Sequence, residues 1–295
     1  MRILFIGSVI FSAKALKKLI SLESDIVGVC TIRESEFNAD HVDLSSIAED
    51  AAIPVCIAPN INQSEVVEWV RGHCPDVIFC FGWSSLLGPE ILGVPKLGVV
   101  GFHPSDLPAN RGRHPIVWAL VLGLSQTAST FFMMDEGVDS GDIISQVKVP
   151  IYEDDSAGDL YSRITEVAMR QLAEFLPMLE SSKGMLCAHC QEPGASNSWR
   201  KRKPADGLID WRMSARSIYN LVRALSKPYV GAQFEYGGHL VKVWKSSLET
   251  SWPENLEPGK VLSVDSSGAV IKAGEGAIRL ILLDPVVEFT EGDYL

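Results

Sequence analysis

The stretch that decides the fold is RILFIGSVIFSAKALKKLISLESDIVGVCTI, residues 2–32. It begins with a short apolar run, residues 2–7, that ends in glycine and predicts a β-strand. Residues 11–22 place apolar side chains at helical spacing, and residues 25–32 form a second continuously apolar run. Two such strands joined by a helix favour a parallel sheet that is buried under helices.

The same alternation continues through the first half of the chain. Strand and helix signals follow one another in a βαβα order, and the strand runs are apolar on both faces. This order predicts an α/β fold, a Rossmann-like, mostly parallel sheet covered by helices on both sides. The further predicted elements are helices at 43–52, 64–73, 114–122 and 158–182 and strands at 53–57, 76–82, 97–102, 128–134 and 143–149.

The composition changes after the last of these helices. Residues 184–204 are polar and irregular and are interpreted as a linker. A helix at 214–225 is then followed by short alternating segments between turn residues, which predict a small antiparallel β-barrel of the OB-like type. We therefore predict two domains, residues 1–190 and residues 205–295. The predicted strands of the second domain are 231–236, 239–245, 259–265, 269–273 and 277–283.

Bulk composition excludes several classes of protein. Of the 295 residues, 46% are hydrophobic and 21% are charged, which is enough apolar material for a buried core. The net charge of -11 at pH 7 argues against broad, non-specific nucleic-acid binding. No apolar run is long enough for a signal peptide or a membrane span, so we expect a cytoplasmic protein without a membrane partner. Cys187 and Cys190 form a lone CxxC pair, and no metal site is predicted because no second pair follows at usual spacing.

The densest cluster of unusual residues is GFHPSDLPANRGRHP, residues 101–115. It begins where an apolar strand ends, and ligands of open α/β sheets bind beyond the carboxyl ends of the strands. His103 lies at that edge. Pro104 and Pro108 stiffen the loop, and Gly112 permits a tight bend.

A second cluster, MDEGVDSGDIISQ at residues 134–146, also follows an apolar strand. Its glycines and acids predict a turn that aims a carboxylate inward. A histidine and an aspartate delivered by two strand ends form a general acid/base pair, in which the carboxylate holds the imidazole and raises its basicity. The residues alone leave open which acid is used. The candidates are Asp135, Glu136, Asp139 and Asp142.

Both clusters resemble motifs of the folate-dependent formyltransferases, a family that includes methionyl-tRNA formyltransferase and the sugar N-formyltransferases. That family carries Asn-x-His-x-Ser-Leu-Leu-Pro-x-x-x-Gly and a later Asp-x-Gly. Asp139, in Asp139-Ser140-Gly141, stands 36 residues after His103, as the family register requires. The resemblance extends to GSVIFSAKAL at residues 7–16 and to the C-terminal segment from 206 to 244, and it is strongest toward the sugar enzymes. The residues that match the first motif are His103, Ser105, Leu107, Pro108 and Gly112.

The resemblance implies a reaction and a set of site residues. A formyl group would move from N10-formyltetrahydrofolate to an acceptor amine, with tetrahydrofolate as the second product. His103 and Asp139 are implied as the catalytic pair that removes the proton of the amine. The residues implied or expected beside the folate are Trp83, Leu87, Ser105, Leu107, Pro108, Ser140, Gly141 and Asp142.

One departure from the family stands beside the histidine. The family's Asn, credited with stabilising the oxyanion of the tetrahedral intermediate, is Gly101 here. Losing one such donor costs on the order of 100-fold in rate. Asn110 or a backbone amide is a candidate replacement. A second departure is Asp106, in Ser-Asp-Leu-Pro, which we expect to face solvent or the acceptor.

The acceptor is predicted from the distribution of charge. Eight basic residues and two acids lie between residues 199 and 227, which indicates either a solvated face or the capture of a phosphate-bearing acceptor. Residues 31–43 hold one arginine and four acids, where tRNA-dependent relatives carry a basic loop. The residues expected to bind the acceptor are Asn110, Arg111, Arg113, Arg200 and Lys203.

Three functions follow from this resemblance, in decreasing order of expectation. The first is transfer of a formyl group to the amine of a nucleotide-linked 4-amino-deoxysugar, with no nucleic-acid partner. The second is methionyl-tRNA formyltransferase. The third is a non-catalytic protein that binds folate or a nucleotide sugar. A homodimer is the default expectation, because relatives of the sugar type are often dimers.

Overall fold

The computed structural model describes residues 1–35, 38–181 and 188–295, and the chain forms two compact units. Cys187, one half of the CxxC pair, lies outside the described residues. The first unit consists of residues 1–115, 127–149 and 162–199, and the second of residues 116–126, 150–161 and 200–295.

The first unit contains a seven-stranded sheet. The bounds of its strands lie within two residues of the predicted bounds. Its helices are α1 (Ile10–Ser21), α2 (Ser45–Asp50), α3 (Ser64–Gly72), α4 (Pro89–Leu92), α5 (Pro115–Val121) and α6 (Ala157–Ser181), of which α5 and α6 are shared with the second unit. The strands of this half are β1 (Ile3–Ile6), β2 (Ile26–Thr31), β3 (Val55–Ile57), β4 (Val77–Cys80), β5 (Val99–His103), β6 (Arg111–Gly112), β7 (Gln126–Met133), β8 (Ile143–Pro150) and β9 (Ser198–Trp199).

The strand order of this sheet is β3-β2-β1-β4-β5-β7-β8. The pairs from β3 through β5 are parallel, and β5 pairs with β7 in the antiparallel sense. Every residue of β1, β2 and β4 is buried, as expected for parallel strands that are covered on both faces. The prediction of a Rossmann-like, mostly parallel sheet is confirmed.

A chain of phenylalanine rings fills the core beneath the carboxyl edge of this sheet. Phe81 makes edge-on contacts with Phe5 and Phe131 at centroid distances of 5.6 and 5.3 Å, and Phe131 continues to Phe175 on α6 at 4.9 Å. Truncating one such ring to alanine typically costs about 3–5 kcal/mol. The core therefore supplies a rigid base for the loops that follow β4, β5 and β7.

The second unit contains a five-stranded antiparallel sheet in the order β10-β11-β14-β13-β12, which confirms the predicted antiparallel C-terminal fold. The helix α7 begins after Ser214, whose hydroxyl caps it by accepting a hydrogen bond from the Ser217 amide at 3.1 Å. These elements are α7 (Ala215–Leu225), β10 (Ala232–Tyr236), β11 (His239–Leu248), β12 (Val261–Asp265), β13 (Gly268–Lys272) and β14 (Ala277–Asp284).

Within the described part of the chain, no helix combines the length and the apolar character that crossing a membrane requires.

Candidate active site

His103 is the last residue of β5, and only 5% of its surface is exposed. Its Nε2 lies 2.9 Å from the carbonyl oxygen of Asn110. A carbonyl oxygen can only accept a hydrogen bond, so Nε2 must carry a hydrogen. In the neutral ring this leaves Nδ1 as the nitrogen that can take up a proton.

Asp139 faces that nitrogen. Its Oδ2 is 3.5 Å from His103 Nδ1, a distance longer than a hydrogen bond but within the range of an ion pair. The same oxygen accepts a hydrogen bond of 2.9 Å from the backbone amide of Gly112. The carboxylate is thus held between the two loops, in a position to stabilise a positive charge on the imidazole.

The other three acids of the turn lie elsewhere. Asp135 accepts hydrogen bonds from the Ser140 hydroxyl at 2.8 Å and the Gly137 amide at 2.9 Å, which closes the turn on itself. Glu136 is exposed. Asp142 forms a hydrogen bond with the Cys190 thiol and so raises the pKa of that thiol. Of the four candidates left open by the residues, the structure brings Asp139 to His103.

Three residues of the clusters 101–115 and 134–146 have left-handed backbone conformations. Asn110, His114 and Asp139 have φ angles of 66°, 56° and 51°. Asn, Asp and His are the residue types other than glycine that tolerate this region best, although each such residue still costs about 1–3 kcal/mol. Strained backbone of this kind clusters at functional sites and needs support from surrounding contacts.

Gly112 is required by the path of the loop. Its φ is 98°, and a Cβ there would lie 2.3 Å from the carbonyl oxygen of Trp199. The close approach arises because β6 and β9 pair in parallel, with Gly112 opposite Trp199. The backbone amide that binds Asp139 is positioned by this pairing.

The segment after α6 supports the site, although its polar and irregular sequence predicts a linker. Asn197 accepts hydrogen bonds from the Asn110 amide through its side chain at 2.7 Å and from the Arg111 amide through its carbonyl at 3.1 Å. Gln191 contacts both Arg111 and the backbone of Asp139. The sequence gives no sign of either contact, because a polar segment without periodicity contains no pattern that marks a contact partner.

Three residues expected beside the folate shape the catalytic loop, residues 101–115. Ser105 is fully buried, and its hydroxyl donates to the carbonyl of Ala109 at 3.1 Å. Leu107 is 2% exposed, and its carbonyl accepts a hydrogen bond from Gln146 at 2.8 Å. Pro108 is half-buried behind a cis peptide bond. These contacts give the loop its shape.

Asp106 forms an ion pair with Lys148 on β8. The Asp106 side chain is 34% exposed beside this lysine, so the expectation that it faces solvent or the acceptor stays a prediction.

Gly101 leaves no room for the family's asparagine. A Cβ at this position would lie 2.8 Å from Cγ of Met134 and 2.9 Å from the ring of Phe132. Phe132 is the direct cross-strand partner of Gly101, and only 2% of its surface is exposed. Apolar side chains thus fill the space into which an asparagine side chain would extend from β5.

The remaining folate-side residues lie on two loops. Leu87 is buried, and Trp83 packs against the same apolar cluster. The indole Nε1 of Trp83 is buried without a hydrogen-bond partner among the described residues. Gly141 is buried against the Met133 carbonyl, which a Cβ would approach to 1.7 Å. An apolar wall with one unsatisfied donor fits a planar heterocycle that carries acceptors, such as a pterin.

The five residues expected to bind the acceptor fall into two groups. Asn110, Arg111 and Arg113 lie on the catalytic loop in the first unit. Arg200 belongs to the second unit and is occupied by Asp206, to which its two terminal nitrogens donate at 2.7 and 2.6 Å. Lys203 is exposed in the same unit, and its backbone amide also donates to Asp206.

The arginines of the catalytic loop have neutral partners. Arg111 donates to the side-chain oxygen of Gln191 at 2.7 and 3.2 Å, and Arg113 donates to the backbone carbonyl of Ser84. Among the described residues, neither guanidinium pairs with a carboxylate. In the described part of the chain, both positive charges on this loop therefore lack a neutralising partner.

Comparison with known proteins identifies the family of the chain. The model of the formyl transferase family matches residues 1–176, and that of the formyl transferase C-terminal domain matches residues 201–286. Methionyl-tRNA formyltransferase from Pelotomaculum thermopropionicum is 30% identical over 301 residues, which cover 100% of this chain and 95% of that protein. The chain belongs to the formyl transferase family. It is a folate-dependent enzyme that uses N10-formyltetrahydrofolate as its formyl donor.

Two further matches are proteins of other kinds. The bifunctional polymyxin resistance protein ArnA from Wigglesworthia glossinidia brevipalpis is 37% identical over 211 residues, which cover 72% of this chain but only 32% of that protein. The N-formyltransferase from Helicobacter canadensis, solved with folinic acid and dTDP-3-aminofucose, matches with a TM-score of 0.68 at 17% identity. The match covers 95% of this chain and 98% of that one, and at this identity it shows the fold alone.

Proposed function

We propose that this formyltransferase acts on the amine of a nucleotide-linked 4-amino-deoxysugar, with His103 and Asp139 as its catalytic pair. The observation that supports this acceptor is that Arg111 and Arg113, on the same loop as His103, have only neutral partners among the described residues. Two fixed positive charges suit a diphosphate, because arginine binds phosphate oxygens through a planar fork of donors.

The proton step follows from the geometry of the ring. The attacking amine must lose a proton, and His103 Nδ1 is the unprotonated nitrogen of the neutral imidazole. Asp139, at 3.5 Å, stabilises the imidazolium that results. The hydrogen bond from Nε2 to the Asn110 carbonyl fixes the ring orientation, so that only Nδ1 takes part.

Folate binding is assigned to the loops that follow β4 and β7. When bound, N10-formyltetrahydrofolate supplies the electrophilic formyl carbon. Trp83 would donate its unsatisfied indole N–H, and Leu87 would form part of the apolar wall. Ser140, Gly141 and Asp142 would border the donor from the turn, while Ser105, Leu107 and Pro108 would support the loop beneath it.

Asn110 is proposed to replace the missing oxyanion donor. Its backbone is anchored on both sides, by Asn197 at its amide and by His103 at its carbonyl. Its carboxamide makes no hydrogen bond with another described residue, and so its N–H groups are available. At position 101 itself, Met134 and Phe132 occupy the space that a donor side chain would need.

A second acceptor is supported by one observation. The relative that is 30% identical along the whole chain is a methionyl-tRNA formyltransferase. Against that acceptor, three of the five arginines in the basic segment, residues 199–227, are paired with acids. An RNA duplex requires many unpaired cations rather than two. These pairs are Arg200 with Asp206, Arg212 with Asp210 and Arg216 with Glu153.

A direct assay decides between these acceptors. Purified protein and N10-formyltetrahydrofolate are incubated with UDP-, dTDP- and GDP-linked 4-amino sugars and, separately, with methionyl-tRNA, and tetrahydrofolate release is followed. We expect turnover with at least one nucleotide sugar. Formylation of methionyl-tRNA alone would contradict the sugar assignment. Folate binding without turnover on any acceptor would favour the non-catalytic alternative.

A further inference from the structure

Gln191 joins the two loops of the site through every atom of its amide group. Its Nε2 donates to the backbone carbonyls of Asp139 at 2.9 Å and Gly141 at 2.7 Å. Its Oε1 accepts from both Nε and Nη2 of Arg111, at 3.2 and 2.7 Å. Two carbonyls need donors and a guanidinium needs an acceptor, so the amide has only one possible orientation.

The two contacts of Gln191 serve two different requirements of the site. Asp139 has a strained φ of 51°, and the hydrogen bond to its carbonyl holds that backbone where the carboxylate faces His103. A neutral oxygen on Arg111 positions the guanidinium without cancelling its charge. A glutamate at this position would bind Arg111 but would neutralise it and would also repel the two carbonyls.

We propose that Gln191 is a positioning residue that sets the Asp139 carboxylate against His103 and keeps Arg111 charged toward an anionic acceptor. The second part rests on the proposed function, while the first concerns only the geometry of the pair. Asn197 supports the same arrangement from the same segment, because it anchors the backbone of Asn110 and Arg111. The segment from 189 to 199 therefore belongs to the active site.

Two substitutions separate the two roles. Gln191→Leu removes all four hydrogen bonds at similar volume and releases Asp139, and we expect kcat to fall by about 100-fold with a small change in the acceptor KM. Gln191→Glu loses the same carbonyl contacts but pairs with Arg111, so kcat falls similarly and the acceptor KM rises by a further factor of about ten. Gln63→Leu, an exposed glutamine in the first unit, is the matched control and should change neither parameter.

A readout that does not require turnover tests the first role. The His103 Cε1–H resonance is followed by NMR against pH in the wild type, in Gln191→Leu and in Asp139→Asn. We expect the Gln191→Leu titration to move toward that of Asp139→Asn, because both leave the ring without its carboxylate. If Gln191→Leu does not fold, Gln191→Asn, whose side chain is one methylene too short to reach both loops, takes its place.

The outcomes are distinguishable from those of the acceptor assay. A His103 titration in Gln191→Leu identical to that of the wild type would overturn the positioning role. An acceptor KM no higher in Gln191→Glu than in Gln191→Leu would overturn the role of Arg111. If the wild type formylates no acceptor, the proposed function fails, and the NMR titration still decides whether Gln191 positions Asp139.

Discussion

The catalytic loop, residues 101–115, and the basic segment, residues 199–227, look alike in the sequence, since both are rich in arginine. Their contacts differ. In the catalytic loop, Gly112 reaches Asp139 across 27 positions, and Arg111 reaches Gln191 across 80. In the basic segment two of the three ion pairs are local, since Arg200 pairs with Asp206 and Arg212 with Asp210, while Arg216 pairs with Glu153 outside the segment. A segment rich in arginine therefore does not by itself provide charge for a ligand, because its arginines can already be paired with carboxylates.

The largest effect should come from removing the carboxylate of Asp139, which the catalytic loop contacts through Gly112. Asp139→Asn keeps the shape and tolerates the same backbone conformation, but it removes the charge that faces His103. We expect kcat/KM for formyl transfer to fall by about 1,000-fold, the range of general acid–base catalysis. Glu136→Gln, an exposed acid in the same turn, is the control and should stay close to the wild-type rate. A loss in Asp139→Asn that matched the control would show that the long-range contact is not used.

The next effect tests the tight path of the catalytic loop. Gly112→Ala would place a Cβ 2.3 Å from the Trp199 carbonyl and displace the amide that holds Asp139, so we expect about a 100-fold loss in kcat. Gly237→Ala is the matched control in the second unit, where φ is also positive but nothing lies within 4 Å. It should lose only about 1–2 kcal/mol of unfolding free energy and no activity. Equal activity in the two variants would contradict the assigned role of the β6–β9 pairing.

A smaller effect compares the two sets of arginines directly. Arg113→Ala removes a charge that no described carboxylate neutralises, and we expect the acceptor KM to rise by about tenfold. Arg200→Ala removes a charge already held by Asp206, and we expect less than a threefold change. Steady-state kinetics with the preferred nucleotide sugar measures both. If Arg200→Ala raised KM as much as Arg113→Ala, the basic segment would also bind the acceptor.

The smallest effect concerns stability in acid. The hydrogen bonds from Arg200 and from the Lys203 amide hold the pKa of Asp206 well below its usual range. A carboxyl whose pKa is lower in the folded state stabilises the protein above its unfolded pKa of about 4, and this contribution is lost as the pH falls through the folded value. Asp206→Asn should therefore melt slightly below the wild type at pH 7. The difference should be a few degrees at most and should shrink below pH 4, as thermal unfolding at several pH values can check. A difference that grew in acid would contradict the pairing.

Much of the fold was predictable because burial of one face produces a periodic pattern of apolar residues along the chain. In the stretch 2–32, the predicted bounds of the strands and the helix agree with those of the structure to within two residues. The reason is that the polarity of each side chain there reflects whether its face of the strand or helix is buried. The strand edge at His103 was visible for the same reason. The ion pair of Asp106 was not visible, because Lys148 lies 42 positions away and only the β8 strand brings it near.

By itself, the sequence determined the alternation of strands and helices, the antiparallel C-terminal sheet, the family and the two clusters at strand ends. Only the tertiary structure decided which atom of His103 faces Asp139, what fills the space above Gly101, and that Gln191 links Asp139 to Arg111. The physical reason is the range of the interactions. Hydrophobic periodicity is visible in neighbouring residues. A hydrogen bond between residues far apart in the chain requires only one polar atom at each end, so the sequence around either residue shows no pattern.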